Sequence, residues 1–346
     1  MTPNHRRGVR LATYNVEWFN ALFDDAGELL EDDGWSARWN ITRGAQIAAL
    51  GRVFTALDAD AVMVIEAPDT SRNRDGVVAL ETFARRFGLR ARRGLIGFAN
   101  DTQQEIALLY DPDTVTARHD PQGARLGERN ARAHPRFDGV FHIDLDTDAA
   151  PETVKWSKPP LEVALHAGGR DLRLIGVHAK SKAPHGATTP ASAMRIAIEN
   201  RRKQSAQCIW LRARVDEHLA RGESLIVMGD FNDGPGLDEY EQLFGRSGVE
   251  IVLGSGATRL IAPHATAAPA NRPTTSRFWL RHREEWLEAL LDFIMVTPDL
   301  ANTAPVWRIW HPQNDATSAS DPALANALLT ASDHFPVTLD LFSDGV

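Results

Sequence analysis

Eight polar side chains stand at the seams between apolar runs and loops. Asn15 follows LATY, Glu66 follows VMVI, His178 follows LRLIGV, Asp230 and Asn232 follow LIVM, Asp292 follows EALL, and Asp333 and His334 precede FPVTLDL. Short apolar runs bounded by turn residues read as covered strands. The strand ends of a packed sheet are rigid places to gather groups that are distant in sequence. The set holds four carboxylates, two amides and two imidazoles. Oxygen-rich donors with few nitrogens suit Mg2+ or Mn2+ better than Zn2+. That is the chemistry of cutting a phosphate ester: a divalent ion offsets the phosphate charge and steadies the leaving oxygen. A carboxylate then orients or deprotonates water, and a histidine stabilises the developing charge or protonates the leaving group.

Each residue also has a plainer reading. Asp, Asn and Gly are common turn residues, so GDFND could be turn chemistry alone. Asp292 could be a surface charge, Asp333 a strand cap and His178 a satisfied core histidine. Glu66 resists such a reading most, because a carboxylate placed directly after four apolar strand residues must find a partner if it is buried. Lys180 and Lys182, beside His178, read equally as exposed lysines or as contacts to phosphate.

The elements that must position these groups alternate along the chain. RLATYNV (Arg10–Val16) reads as a strand, and residues 37–57 carry apolar residues at helical spacing. DAVMVIEAP is a buried strand ending at Glu66, VVALETFARRFGL an amphipathic helix and EIALLYD a strand. PPLEVALHAGGRDLRLIGVHAKSK reads as a hairpin about Gly168–Gly169. Ser192 to Leu219 is a long helix whose arginines form a solvated face. ALLDFIMV and DHFPVTLDLF are late strands. Three stretches read as long loops of the kind that often carry function: Asp111–Arg136, Asp144–Ser157 and Ala262–Ser276. Hairpins with helices between strand groups favour two packed sheets with helices outside. No repeat and no sharp compositional break appears, so residues 1–346 read as a single domain.

Composition narrows the partners. The 346 residues carry a formal net charge of −8, which argues against a general basic coat for nucleic acid but leaves room for a local basic patch. The single cysteine, Cys208, excludes an internal disulfide and a cysteine-based zinc site, and reads as a small core residue. No apolar run approaches the roughly 20 residues that span a bilayer, and no secretory leader is evident. The expectation is a cytoplasmic protein without a membrane partner; oligomeric state is not legible.

Taken together, the motifs resemble the endonuclease/exonuclease/phosphatase superfamily. The matching segments are ATYNVEW, IEAP, GVHAKSK, GDFND, LLDFIMV and SDHFPV, in the family's order, from about Arg10 to Leu341. The resemblance implies an α/β fold, a four-layer α/β/β/α sandwich of two packed mixed β-sheets. It implies Mg2+ or Mn2+ held chiefly by Glu66, with Asn15 and Asp333 nearby. Asp230 would activate or orient water, Asn232 would help hold water and phosphate, and His334, oriented by Asp292, would contact the scissile phosphate. His178 matches the branch that uses histidine on this strand, as deoxyribonuclease and the phosphatases do.

The sequence also departs from the family. SKPPLEV places Lys158 where many members carry arginine, which keeps the charge and loses the two-pronged phosphate grip. Glu17 stands where abasic-site enzymes usually have aspartate. Lys158 and Lys180 are the candidate substrate contacts. Phe278, Trp279 and Trp286 resemble an aromatic stretch of the family, and the two tryptophans read first as packing residues. The implied activity is metal-dependent hydrolysis of a phosphate ester, foremost a phosphodiester of DNA or RNA. The alternatives are a small-molecule or lipid head-group phosphate, and a binding module that kept the fold without the reaction.

Overall fold

In the computed structural model the apolar runs become strands. Residues 8–125, 128, 134–143, 152–236, 242, 245–280 and 284–342 are described. In chain order the strands are β1 (Val9–Asn15), β2 (Ala61–Ala67), β3 (Arg93–Ile96), β4 (Glu105–Tyr110), β5 (Val115–His119), β6 (Phe141–Ile143), β7 (Glu152–Val154), β8 (Leu161–Ala167), β9 (Arg170–His178), β10 (Leu225–Asp230), β11 (Ser276–Leu280), β12 (Glu285–Ala289), β13 (Asp292–Val296), β14 (Val306–Ile309) and β15 (Val337–Leu341). The α-helices are α1 (Arg43–Leu57), α2 (Gly76–Arg86), α3 (Pro190–Ala220), α4 (Gly248–Leu253), α5 (Pro298–Ala301), α6 (Ala316–Ser320) and α7 (Pro322–Ala331).

Two mixed sheets lie face to face. One runs β14-β15-β1-β2-β4-β3 and the other β13-β10-β9-β8-β5. Strand alternation sets the layers. On β2, Ala61, Met63 and Ile65 face the second sheet, while Val62, Val64 and Ala67 face α1, α2 and α7. α3 and α4 pack outside the second sheet, where Cys208, Trp210, Leu211 and Val215 meet its outer face. The result is the expected four-layer α/β/β/α sandwich, with both sheets covered on both faces over most of their strands. Among the described residues no helix is long and apolar enough to cross a membrane.

The hairpin about Gly168–Gly169 forms as expected, with both glycines at positive φ (58° and 73°). The helix expected over 37–57 starts only at Arg43, capped by the Thr42 hydroxyl, which accepts the Ala45 N–H. Left-handed backbone at Ala37 and Asn40 keeps the preceding stretch out of the helix. Part of the loop expected over Asp111–Arg136 is the edge strand β5, paired with β8. Only alternate residues of VTARH meet the protein, so an edge strand lacks the apolar run that marks a central one. Of Asp144–Ser157, residues 144–151 lie outside the described residues and Glu152–Val154 pairs with β6. Most of Ala262–Ser276 remains a loop with two 3-10 turns, Pro263–Thr266 and Pro269–Asn271, and Ser276 opens β11.

Candidate active site

Register builds the site's floor. Asp230, the last residue of β10, pairs with His178 across the parallel ladder and with Asp292 across the antiparallel one. Residues opposite one another share a face, so His178, Asp230 and Asp292 form a row turned toward the first sheet. Gly229 allows β10 to end there. Its φ is +140°, and a Cβ would sit 2.0 Å from the Val177 carbonyl oxygen, so no other residue fits that step of GDFND.

The first sheet supplies the facing groups. Asn15 lies on the same face of β1 as Leu11, and its amide donates to Asp230 Oδ2 at 3.1 Å. Alternation alone would turn Glu66 toward the helices beside Val62 and Val64. Instead the register slips between Ile65 and Ala67, and Glu66 takes φ +61°. This bulge turns the side chain back to the site. Glu66 Oε2 accepts the Trp18 N–H at 3.0 Å, and Oε1 lies 3.9 Å from His178 Nε2. Glu17, Trp18 and Asn232 also have left-handed backbone (φ 49°, 60° and 49°). Such non-glycine residues cost on the order of 1 kcal/mol or more each and collect at functional sites.

His334 and Asp333 arrive on the turn between α7 and β15. His334 Nδ1 lies 2.7 Å from Asp292 Oδ2, leaving Nε2 4.0 Å from Asp230 and 3.9 Å from Asp333 Oδ1. Asn232 closes the other side: its N–H donates to Asp230 Oδ1 at 2.7 Å and its amide to Oδ2 at 3.1 Å. Lys158 Nζ stands 3.2 Å from His178 Nε2. The Lys180 ammonium is near enough to push the Lys158 pKa down. The structure therefore brings together nine of the sequence-derived candidates, Asn15, Glu66, Lys158, His178, Asp230, Asn232, Asp292, Asp333 and His334, and Lys180 follows two residues beyond His178, its main chain held by Gln204 and Gln207. Lys182, read as exposed or phosphate-binding, instead pairs with the buried Asp233.

The electrostatics divide the site. Burial alone would lower the His334 pKa, but Asp292, Asp230 and Asp333 raise it to about 10, so it is an imidazolium at neutral pH. Burial pushes His178 well down, and the positive charges of Lys158 and His334 push it further, so it is neutral and can accept the Lys158 proton in a hydrogen bond. Burial raises Asp230, with His334 pulling it back. Burial raises Glu66 too, against the Trp18 N–H and Lys158.

The donor set fits a hard divalent cation. Glu66 Oε1 lies beyond hydrogen-bond reach of His178, and a carboxylate this buried is favoured by added positive charge. Asp230, Asp292 and His334 also offer atoms within 4.8 Å of one another. In that trio the short His334–Asp292 hydrogen bond and the imidazolium charge work against coordination by His334.

Sequence reasoning missed the residues that hold this frame. Gln204 on α3 donates to the carbonyls of Lys180, Phe231 and Asn232 at 2.7, 3.1 and 3.0 Å, fastening the ends of β9 and β10. Gln207 accepts the Lys180 N–H. Ser332 Oγ donates to the Asn15 carbonyl at 2.7 Å and accepts the His334 N–H at 3.1 Å. Thr275 Oγ1 accepts the Leu291 and Asp292 N–H groups. Arg38 pairs with Glu17, which accepts the Asp333 N–H. The one available signal was two glutamines three apart beside Ala206 and Cys208 on the helix's apolar face.

Two facing mixed sheets with an acid, amide and imidazole cluster at their strand ends define a hydrolase of phosphate esters. A profile of the Endonuclease/Exonuclease/phosphatase family matches residues 12–334, and the chain belongs to that family. Among solved structures it resembles the endonuclease/exonuclease/phosphatase of Bacteroides vulgatus, with 16% identity over 97% of this chain and 99% of that one (TM-score 0.50). It also resembles TDP2 from C. elegans, with 14% identity over 96% and 75% (TM-score 0.50). A mannosyl-6-phosphatase of Bacteroides thetaiotaomicron aligns at 14% identity over 96% and 99% (TM-score 0.48). At these identities the likeness is one of fold. No curated protein sequence matches the chain.

Proposed function

We propose that the chain is a divalent-metal-dependent phosphodiesterase acting on nucleic acid, working as one domain in the cytoplasm. The observation that supports it most is Asp230, set between a neutral and a charged histidine, 3.6 Å from His178 Nε2 and 4.0 Å from His334 Nε2. Glu66, with Asn15 and Asp333, would hold Mg2+ or Mn2+, which when bound neutralises the phosphate and steadies the leaving oxygen. Asp230 takes a proton from the attacking water, its affinity for that proton raised by burial. Asn232 fixes the Asp230 carboxylate and has its amide at the same place. Asp292 keeps His334 protonated and oriented, so its Nε2–H faces the phosphate oxygens as negative charge builds there. Lys158 and Lys180 supply further positive charge. As the oxygen of water bonds to phosphorus, the ester P–O bond breaks, Asp230 holds the proton lost by the water, and the departing oxygen takes a proton from solvent.

The test is purified protein with Mn2+ or Mg2+ on single-stranded, duplex and abasic DNA, on RNA and on a set of phosphomonoesters. Cleavage of nucleic acid, abolished by EDTA and by Asp230→Asn, is the expected result. Turnover confined to small phosphate esters overturns the nucleic-acid reading. Failure to bind any divalent ion by calorimetry overturns the enzymatic one.

A further inference from the structure

Tryptophans gather around the site's mouth without being part of its floor. Three indoles are built into the fold: Trp210, Trp307 and Trp310 donate their N–H groups to Pro135 O, Ile294 O and Thr338 Oγ1. Trp39, Trp279 and Trp286 are instead 73%, 44% and 53% exposed. They line one cavity of about 290 Å³ together with Phe278, Arg277 and Asp333. Trp279 and Trp286 pair across the β11–β12 hairpin, with ring centres 5.3 Å apart at 60°. The hairpin is tied to the catalytic turn, because the Arg277 N–H donates to the Asp333 carbonyl at 2.7 Å. Phe278 stands edge-on to His334 at 5.6 Å and shares the cavity's lining with the indoles, so the cavity adjoins the imidazolium.

We propose that this cavity is a nucleobase subsite, holding one base of the substrate beside the phosphate that His334 faces. The inference rests on the proposed function and names the part of the substrate that this flank recognises. Exposed aromatic surface of this extent is costly unless it is used. Two guanidinium groups and two carboxylates, from Arg38, Arg277, Glu17 and Asp333, share the lining, which suits a flat ring with polar edges and rejects an acyl chain. The Arg277 guanidinium already lies 4.2 Å over the Trp286 ring, a cation–π stack that a base can extend with its own face. The cavity's size suits one or two rings rather than a protein surface. On the β9 side of Asp230, Lys158 Nζ stands 3.2 Å from His178 Nε2. A strand at the site therefore meets positive charge as well as stacking surface.

The test is binding in EDTA, where turnover does not interfere, read by fluorescence anisotropy. The probes are a short single-stranded oligothymidylate and an abasic oligonucleotide of the same length. Base–aromatic stacking predicts that the native protein holds the oligothymidylate about tenfold tighter or more. Trp279→Ala and Trp286→Ala should remove that difference, Trp279→Phe should keep much of it, and affinity for the abasic strand should not move. Unchanged thermal midpoints confirm that the variants are folded. Equal native affinity for the two strands, binding of neither, or equal weakening of both by the alanine variants overturns the inference. So does release of the oligothymidylate by a simple sugar phosphate. Hydrolysis of a baseless phosphodiester with Mn2+, scored separately, bears on the proposed function alone.

Discussion

Two buried histidines approach the same carboxylate, Asp230, and differ in charge, one cationic and one neutral. His334 is surrounded by acids: Asp292 at 2.7 Å, Asp333 at 3.9 Å and Asp230 at 4.0 Å. His178 has Asp230 at 3.6 Å and Glu66 at 3.9 Å, but Lys158 stands nearer, at 3.2 Å. Burial acts on both in the same direction. The neighbours decide the outcome, and they leave one imidazolium and one imidazole within a single site. When environments push two like groups apart in pKa, the two can serve different tasks in one site. On the proposed function the His334 side would donate to the substrate, while the His178 side accepts from Lys158.

The largest test of this division removes each ring. His334→Ala should lower kcat by about 10²- to 10⁴-fold, the range for a positioned acid–base group. His178→Ala should cost markedly less and fall more on KM, because Lys158 loses its anchor while the charge on His334 survives. Steady-state kinetics on one phosphodiester substrate read both. Equal losses in kcat would mean that charge state does not separate the two roles.

A smaller change keeps the ring and removes its counter-charge. Asp292→Asn leaves the geometry near His334 but withdraws a negative charge that raises its pKa. The imidazolium should then lose its proton at lower pH, so the alkaline limb of kcat/KM moves down the scale and kcat at neutral pH falls by about tenfold. An unmoved alkaline limb would show that His334 does not set it.

Stability should carry the same division with opposite sign. His334 has a folded pKa of about 10 against roughly 6.5 unfolded. Its contribution is complete below about 6.5 and is lost as pH rises from there toward 10. His178 has a folded pKa well below its ordinary value, so its contribution is present above about 6.5 and is lost as pH falls below it. Urea denaturation in EDTA across pH reads both arms. His334→Asn should flatten the alkaline arm and His178→Asn the acid arm, and a swap of those assignments would overturn the charge states.

The two sides were not equally legible in sequence. The floor was legible because each of its residues ends a strand or adjoins one, and six short motifs in order reveal a fold that gathers strand ends. Glu66 was legible as a carboxylate ending an apolar strand, but the direction of its side chain was not. Its position in the alternation points the wrong way, and a bulge with left-handed backbone reverses it. The rim was not legible. Trp279 and Trp286 read as packing residues because exposure depends on what covers a hairpin, and no local pattern carries that. Trp39 lay inside a stretch with helical spacing, and left-handed residues at Ala37 and Asn40 exclude it from the helix. Gln204 and Ser332 act through main-chain carbonyls far away in sequence, which a single chain's letters do not record.

Those two residues give the finest comparison. Ser332 fastens the His334 turn to β1, and Gln204 fastens the Lys180–Asn232 side to α3. Each removal strands buried main-chain groups, at about 1–3 kcal/mol of stability. Ser332→Ala frees the Asn15 carbonyl and the His334 N–H, so it loosens the ring that faces the phosphate and should lower kcat several-fold. Gln204→Ala frees three carbonyls but touches the histidines only through Lys180 and Asn232. It should cost at least as much stability and less kcat, with its effect falling on KM. Thermal midpoints and kinetics on the two variants separate the effects. If Gln204→Ala lowers kcat as much as Ser332→Ala at equal stability, geometry on the His178 side matters to the chemical step as much as on the His334 side, and the division of labour lies in charge alone.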